Sequence, residues 1–151
     1  MDLNQRLKEA ADPTTSPERL AELAGDRKVG VRWWVARNPS TPAAALKRLA
    51  ADEDVGVRVQ VAANPSTPPA ALERLAADRD ADVRVMVAEH PSTQAAVLER
   101  LAADQNVGVR WWVARNPSTP AETLDRLTND HNWTVELAAK TEALRRRTHP
   151  R

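Results

Sequence analysis

Asn-Pro-Ser-Thr-Pro, which stands at Asn38–Pro42, returns along this chain at a constant interval. Close copies begin at Asn64, His90 and Asn116, each 26 residues after the one before. A fixed period of this length is typical of a solenoid, whose units bury their apolar sides only against neighbouring units. The spacing therefore predicts a stack of repeats, with fainter copies of the unit at both ends.

Two short helices are predicted in each repeat, as the unit at 52–77 illustrates. Asp54 is a good N-cap for a first helix that begins near Val55. This helix ends by Ala63, because the residue before a proline is pushed out of the helical region. Thr67 and the proline that follows it predict the start of a second helix, since a hydroxyl caps free amides and proline suits the first turn.

The second helices carry a recurring apolar stripe. In the unit at 52–77 the stripe consists of Leu72, Leu75 and Ala76, and this i, i+3, i+4 spacing is typical of a helix with one buried face. In the fourth full repeat, Glu122 follows Thr119 by three residues, which predicts a capping box at the start of the helix.

These patterns predict an all-α solenoid of about five to six 26-residue repeats, each with two helices. No segment has the alternating pattern of a strand. The chain contains neither Phe nor Tyr, so its core must consist of Leu, Val and Ala. The predicted boundaries are an N-terminal cap repeat at 1–25, full repeats at 26–51, 52–77, 78–103 and 104–129, a C-terminal cap at 130–144 and a basic tail at 145–151.

Charge and residue content argue against several functions. The chain has 22 basic and 21 acidic residues, whereas general polyanion binders usually have a clear basic excess. It has no Cys, which excludes disulfides, thiolate metal sites and cysteine nucleophiles. No apolar run would span a membrane and no export leader is evident, so we expect a cytoplasmic protein. No side chains form a ligating or catalytic set, and we predict no metal, no cofactor and no enzymatic activity.

The repeat phrase Val-Arg-x-x-Val-Ala-x-Asn-Pro-x-Thr-Pro-x-x-x-Leu-x-x-Leu-Ala resembles the leucine-rich repeat variant family of bacterial helical solenoids. It stands at Val31–Ala50, at Val57–Ala76 and, with threonine in the last position, at Val109–Thr128. The resemblance implies a right-handed superhelix of paired short helices, and it allows one helix of each pair to be partly 3₁₀. Some members carry a cysteine-ligated iron–sulfur module, which is not expected in a chain without Cys.

A second resemblance, to HEAT-type repeats, concerns charged residues between the repeats. Those repeats often place an Asp six residues before an Arg, which links successive units. On a helical wheel, Arg58 falls inside the packed face, which favours a structural role over ligand binding. The residues of this predicted structural ladder are Asp26 and Arg32, Asp52 and Arg58, Asp78 and Arg84, and Asp104 and Arg110.

Two Trp-Trp pairs are the sharpest local signal for a binding surface. Trp33 and Trp111 occupy a position that is apolar in every copy, which predicts packing. Trp34 and Trp112 share theirs with Lys, Gln, Met and Ala, a mixture typical of a partly exposed site. Packing of these indoles across neighbouring repeats is an equally good interpretation. The predicted partner-binding residues are Trp34, Arg37, Gln60, Met86, Trp112 and Arg115.

Two further features of the first helices bear on this surface. Gly30, Gly56 and Gly108 lie on the same helical side and predict the close approach of another group to the backbone. Trp133 stands where three other copies have valine, and we expect it to pack as an end cap.

These features favour a non-catalytic scaffold that binds a protein or an extended peptide, preferably acidic, along one solenoid face. We expect a monomer or weak self-association. The alternative is nucleic-acid binding or base excision, by similarity to HEAT-like DNA glycosylases, which combine tryptophans with an acid such as Asp82. The near-zero net charge makes nucleic acid an unlikely partner. A third interpretation is a designed or recently duplicated repeat protein without an evolved ligand, since 26–51 and 104–129 are identical at 19 of 26 positions.

Overall fold

The computed structural model describes residues 1–150, which form eleven α-helices and no strand. The prediction of an all-α solenoid is confirmed. The described helices show no 3₁₀ segment, and none of them is long and apolar enough to cross a membrane. In chain order they are α1 (Leu3–Ala11), α2 (Pro17–Leu23), α3 (Val29–Arg37), α4 (Ala43–Leu49), α5 (Val55–Ala63), α6 (Pro69–Leu75), α7 (Ala81–Glu89), α8 (Ala95–Leu101), α9 (Val107–Arg115), α10 (Ala121–Leu127) and α11 (Trp133–Thr148).

Odd-numbered and even-numbered helices form two layers along the stack. The first helix of a full repeat is odd-numbered and has nine residues, whereas the second is even-numbered and has seven. Neighbouring odd-numbered helices pack closely against one another, and neighbouring even-numbered helices touch less. The odd-numbered layer therefore carries most of the contact between repeats.

The core lies between the layers and consists of small aliphatic side chains. In the repeat at 52–77, Val57 and Val61 of α5 are fully buried, and Leu72 and Leu75 of α6 are 1% exposed. Burying one such side chain contributes about 1.5–3 kcal/mol, but helices of seven to nine residues are too short to be stable alone. Stability therefore comes from contacts between helices and between repeats.

The N-caps of the odd-numbered helices agree with prediction. Asp54 accepts a hydrogen bond from the Val57 amide at 3.1 Å, and Asn106 accepts one from the Gly108 amide at 2.9 Å. Lys28 holds the same position before α3 and makes no capping bond.

The threonine of each turn caps a different helix from the predicted one. Thr67 donates its hydroxyl to the carbonyl oxygen of Val61, so it caps the end of α5 instead of the start of α6. Pro68 takes the N-cap position of α6, where no side chain makes a capping bond. Thr119 acts in the same way, and the predicted capping box with Glu122 does not form. The hydroxyl satisfies one of the carbonyls that every helix leaves free at its C-terminus.

An arginine clamp at the start of α3, α5, α7 and α9 joins one repeat to the next. Arg58 donates two hydrogen bonds to the carboxylate of Asp78, with Nε 2.7 Å from Oδ2. Its Nη1 donates to the backbone oxygen of Asp52 at 2.9 Å. Such a planar, forked contact is specific to arginine. The same side-chain pairing, with the same Nε–Oδ2 distance of 2.7 Å, occurs in Arg32–Asp52, Arg84–Asp104 and Arg110–Asp130.

The register of this clamp differs from the spacing on which the prediction rested. The side-chain partner of each arginine is the aspartate twenty residues later, whereas the aspartate six residues earlier offers only its backbone oxygen. The carboxylate of Asp26 lies 2.7 Å from Nε of Arg6 instead. Arg58 and Arg110 are only 7% and 5% exposed, which leaves little of these guanidinium groups free for a ligand.

Burial and arginine pairing act in opposite directions on the pKa of the aspartates in the arginine clamps, which we call the seam aspartates. Desolvation raises the pKa of Asp52, but hydrogen bonds from Arg32 and from the Asp54 amide outweigh it and lower the pKa below its usual value. The same balance lowers the pKa of Asp78, Asp104 and Asp130.

An asparagine clamp joins the repeats at the other end of the odd-numbered helices. Asn64 donates Nδ2 to the backbone oxygens of Ala36 and Asn38 in the preceding repeat, at 2.7 and 2.9 Å. Its Oδ1 accepts a hydrogen bond from the Ser66 amide at 2.9 Å. Asn38 and Asn116 make equivalent bonds. Helix termination is the only role that the local sequence predicts for this asparagine, and its role between repeats was not predicted.

His90 occupies the asparagine position in one repeat and forms only part of this clamp. Its Nε2 contacts the backbone oxygen of Asn64 at 2.9 Å, and its Nδ1 accepts from the Ser92 amide at 3.1 Å. These contacts fit an imidazole with its proton on Nε2. Because that ring has a single donor, the carbonyl of Ala62, the counterpart of Ala36, has no hydrogen-bond donor among residues 1–150.

The last repeat ends in one long helix. Arg145–Arg147 form the final turn of α11, which extends to Thr148, so they are not the separate tail predicted from residue 145. The helix continues because Ala143 stands where the earlier copies have proline, and proline would end it.

Glu142 and Arg146 replace the asparagine clamp at this end. Glu142 stands at the asparagine position, and its carboxylate accepts hydrogen bonds from Arg145 and Arg146 at 2.6 and 2.8 Å. Arg146 in turn donates to the backbone oxygens of Thr119 and Asn116, at 2.8 and 3.1 Å. The bond from Arg145, supported by the one from Arg146 and opposed by burial, lowers the pKa of Glu142 to about 2.

The lowered carboxylate pKa values predict a loss of stability in acid. A carboxylate with a lower pKa in the folded state contributes stability above its unfolded pKa, and this is lost as the pH falls through the folded pKa. For Glu142 that window runs from its ordinary 4.5 down to about 2, and the seam aspartates act in the same direction. We expect the free energy of unfolding, measured with urea, to be constant from pH 7 to about pH 5 and to fall steadily below that.

The variant Glu142→Gln isolates the contribution of the C-terminal clamp. It should be less stable than the parent at pH 7, and the difference between the two should shrink as the pH approaches 2. A free energy of unfolding that stays constant down to pH 2 would contradict the role of these ion pairs.

Candidate partner-binding surface

The predicted partner-binding residues lie on the solvent side of the odd-numbered helices α3, α5, α7 and α9. They occupy two equivalent positions of the repeat, three residues apart. Trp34 is 37% exposed and the two arginines are exposed, whereas the other three side chains are half-buried. We call this surface the tryptophan face, and it consists of Trp34, Arg37, Gln60, Met86, Trp112 and Arg115.

The first tryptophan pair and its arginine form a compact group on α3. The ring centroids of Trp33 and Trp34 are 5.0 Å apart, with an angle of 87° between the planes, which is an edge-to-face contact. The guanidinium of Arg37 lies 5.4 Å from the ring centroid of Trp33 and 5.6 Å from that of Trp34. Both distances lie within the range of cation–π attraction, about 6 Å.

The second pair, on α9, has the same ring geometry but a different exposure. Trp111 and Trp112 again lie 5.0 Å apart at 87°, and Arg115 lies 4.7 Å from the ring centroid of Trp111. Trp112 is half-buried and packs against the core. Its position in the preceding repeat is held by Met86, an apolar neighbour, whereas the position before Trp34 is held by Lys8.

Side chains of the preceding repeat fill the space that the glycines leave. A Cβ atom on Gly56 would lie 3.6 Å from Cδ1 of Trp33, and one on Gly108 would lie 3.6 Å from Cγ2 of Val85. The close approach that these glycines predict is therefore made within the stack and not by an outside ligand. Trp33 packs against α5 in this way and is half-buried.

The position of Trp133 is on the surface, and its predicted role in end-cap packing is wrong. Trp133 is 70% exposed, and its counterparts Val29, Val55 and Val107 are 44%, 41% and 40% exposed. Val55 precedes the buried Val57 by two residues, which places it about 200° away around the helix. Trp133 and these valines therefore lie on a side of the helices that the core does not cover.

A cavity of about 350 Å³ lies in the middle of the tryptophan face, between the two tryptophan pairs. Its lining combines apolar side chains with one exposed carboxylate. The lining residues are Ala62, Ala63, Met86, Glu89, His90 and Pro91.

This surface offers neither a metal centre nor an enclosed acid within the described residues. No group of three His, Asp or Glu side chains in residues 1–150 has the geometry of a metal site. Asp82, the acid of the glycosylase alternative, is exposed in the first turn of α7. Base excision requires a pocket that encloses a flipped base, and an exposed carboxylate on a helix surface does not provide one.

Comparisons with known proteins agree with this architecture. A family model described as "Leucine Rich Repeat Variant domain" matches residues 4–61 and 57–110, and one described as "Leucine rich repeat variant" matches 107–131. The solved structure titled "A leucine-rich repeat variant with a novel repetitive protein structural motif" is 30% identical, with a TM-score of 0.59. The alignment covers 98% of this chain and 76% of that chain. A search of curated proteins found no match.

The stacked helix pairs, clamped at both ends of each seam, define a helical repeat scaffold. The chain belongs to the leucine-rich repeat variant family.

Proposed function

We propose that this chain is a non-catalytic scaffold that binds an extended, acidic segment of a partner protein along the tryptophan face. The supporting observation is the exposed indole of Trp34 with Arg37 against it. A second tryptophan pair with the same ring geometry stands at Trp111 and Trp112, where Arg115 lies against Trp111. Trp and Arg are the residues most enriched at binding hot spots.

The distance between the two tryptophan pairs suggests the length of the bound partner segment, which we call the guest. They lie three repeats apart, and packed helices are separated by about 8–10 Å, so the span is roughly 25–30 Å. An extended peptide advances about 3.3 Å per residue. About eight or nine residues of guest would therefore connect the two anchors.

The charges along the face suggest the composition of the guest. Arg37 and Arg115 stand beside the two anchors, which favours acidic residues at both ends of the bound segment. The central cavity is lined by four apolar residues together with Glu89 and His90, which favours an apolar or basic side chain in the middle. The guest is therefore expected to be acidic at both ends and apolar or basic in its middle.

Replacing both Trp34 and Trp112 with Ala is expected to weaken guest binding by at least about 100-fold, because hot-spot residues contribute about 2 kcal/mol or more each. The probe is a set of twelve-residue peptides selected on the intact chain from a display library, and binding is measured by fluorescence anisotropy. Circular dichroism should show the same helix content, whereas the melting temperature should fall somewhat, since Trp112 is half-buried and packs against the core.

Trp133→Ala is the matched control, because it removes another exposed indole that lies outside the face. It should leave peptide affinity unchanged, and six-residue versions of the selected peptides should bind more weakly than the full ones. Equal affinity of the parent and the double variant would refute the proposal. Salt-dependent binding of single-stranded DNA, lost in the variant Arg37→Ala/Arg115→Ala, would favour the nucleic-acid alternative instead.

A further inference from the structure

The outer side of α11 carries the most exposed apolar stripe of the described chain. Trp133, Leu137 and Leu144 are 70%, 56% and 62% exposed, and among the large apolar side chains only Met1 matches them. Their spacings of four and seven residues place them in one row along the helix. Lys140 lies in the same row and pairs with Glu136 one turn earlier.

In the preceding repeats, the next odd-numbered helix covers the corresponding side. Trp111, the counterpart of Leu137, is half-buried because α11 packs against α9. The clamp residues on α11 also differ from those of the inner helices. Glu136 stands at the arginine position and Glu142 at the asparagine position, so α11 lacks both donors that join repeats of this kind.

The row on α11 is complementary to itself when the helix is turned end for end. In an antiparallel pair of α11 helices centred between residues 138 and 139, Trp133 of one copy meets Leu144 of the other. In the same pair, Lys140 of each copy lies opposite Leu137 of the other, and its amine is one residue along the helix from the facing Glu136. One two-fold axis thus brings the apolar contacts into register and both ion pairs to within one residue of it, as an isologous interface requires.

We propose that two copies of this chain form a two-fold dimer through antiparallel α11 helices. A helix of sixteen residues is about 24 Å long and 10–12 Å wide, so the pair buries on the order of 1,000 Å² in total. That area lies at the lower limit of specific interfaces. The dimer is therefore weak, forms only at high protein concentration and leaves the tryptophan face of each copy free.

Sedimentation velocity tests the association. The mass should rise from 16.6 kDa at about 1 μM towards twice that value near 1 mM. Trp133→Ala should keep the protein monomeric throughout, and Trp34→Ala should dimerise like the parent. A parent that stays monomeric at 1 mM, or a Trp133→Ala variant that dimerises equally, would overturn the proposal.

Single cysteines test the antiparallel geometry, because the chain has no Cys of its own. Two copies of residue 137 would lie near the axis, with Cα atoms roughly 6–7 Å apart, whereas two copies of residue 144 would be about 16 Å apart or more. Leu137→Cys should therefore give a disulfide-linked dimer under mild oxidation and Leu144→Cys should not, since a disulfide needs Cα atoms within about 7 Å. Equal crosslinking of both variants would indicate random encounters and refute the interface.

Charge reversal tests the register. Glu136→Lys should weaken the dimer at least several-fold, because it places four positive charges around the axis. Adding Lys140→Glu to that variant should restore the parent affinity, since the ion pairs then form with their partners exchanged. Failure of the double variant to recover would contradict the pairing of Glu136 with Lys140. Because no peptide is involved, these results are independent of the proposed guest binding.

Discussion

Arg58→Ala is expected to lower the free energy of unfolding by about 3–5 kcal/mol, since removing one partner of a buried ion pair leaves the other charge uncompensated. The side chain of Asp78 is only 8% exposed and would lose two hydrogen bonds together with its counter-ion. The backbone oxygens of Asp52 and Glu53 would also lose their donor. Urea unfolding at pH 7, followed by circular dichroism, measures the effect.

The position of Arg58 in the middle of the stack adds a second observable. A solenoid is stabilised by the interfaces between neighbours, and weakening an inner interface uncouples the two sides. We expect the urea transition of the variant to broaden as well as to shift. The effect should also shrink towards pH 3, because Asp78 is then increasingly neutral and costs less to leave unpaired.

Arg74→Ala is the matched control, since Arg74 is an exposed arginine on the adjacent helix α6. It should change the free energy of unfolding by no more than about 0.5 kcal/mol. A loss below 1 kcal/mol for Arg58→Ala would mean that the arginine clamp adds little stability to the apolar contacts between repeats.

The arginine clamp shows how far a periodic sequence can be interpreted. The helical wheel indicated that Arg58 lies inside the packed face. Its partner could not be derived, because a 26-residue period places one aspartate six residues before each arginine and another twenty residues after it. Only the spacing of the folded helices decides between Asp52 and Asp78 as the side-chain partner.

The tryptophans show what comparison of repeats can and cannot do. The residue types at each position distinguished Trp33 from Trp34, and in the structure the first is packed over Gly56 while the second is 37% exposed. The same comparison misplaced Trp133, because valine was taken as a mark of the core. The helical angle between Val57, which is buried, and Val55, the counterpart of Trp133, indicates the exposed position, since residues two apart face opposite sides of a helix.

The asparagine clamp was missed for a different reason. An asparagine before a proline is fully explained as a helix end, so the local pattern requires no further role. Its two carbonyl partners lie 26 and 28 residues earlier in the chain, beyond any local rule of helix termination. The signal that the sequence offered was the recurrence of asparagine at this position in three repeats, which indicates a role beyond ending one helix.

Asn64→Ala is expected to lower the free energy of unfolding by about 3 kcal/mol. The side chain is 2% exposed and makes three hydrogen bonds, to Ala36, Asn38 and Ser66. Each contributes about 1 kcal/mol, and the groups left behind are buried and unpaired. Urea unfolding measures the loss, and Asn129→Ala, at an exposed asparagine, should be nearly neutral.

The converse substitution, His90→Asn, should raise the free energy of unfolding by about 1 kcal/mol. An amide has two donors, so it can keep the bond to the backbone oxygen of Asn64 and also reach that of Ala62, which has no donor from His90. A rise for His90→Asn combined with a fall for Asn64→Ala can come only from a clamp that needs both of its bonds. If His90→Asn proved neutral or destabilising, the second bond would be dispensable, and the imidazole would have to be stabilised by packing that the asparagine lacks.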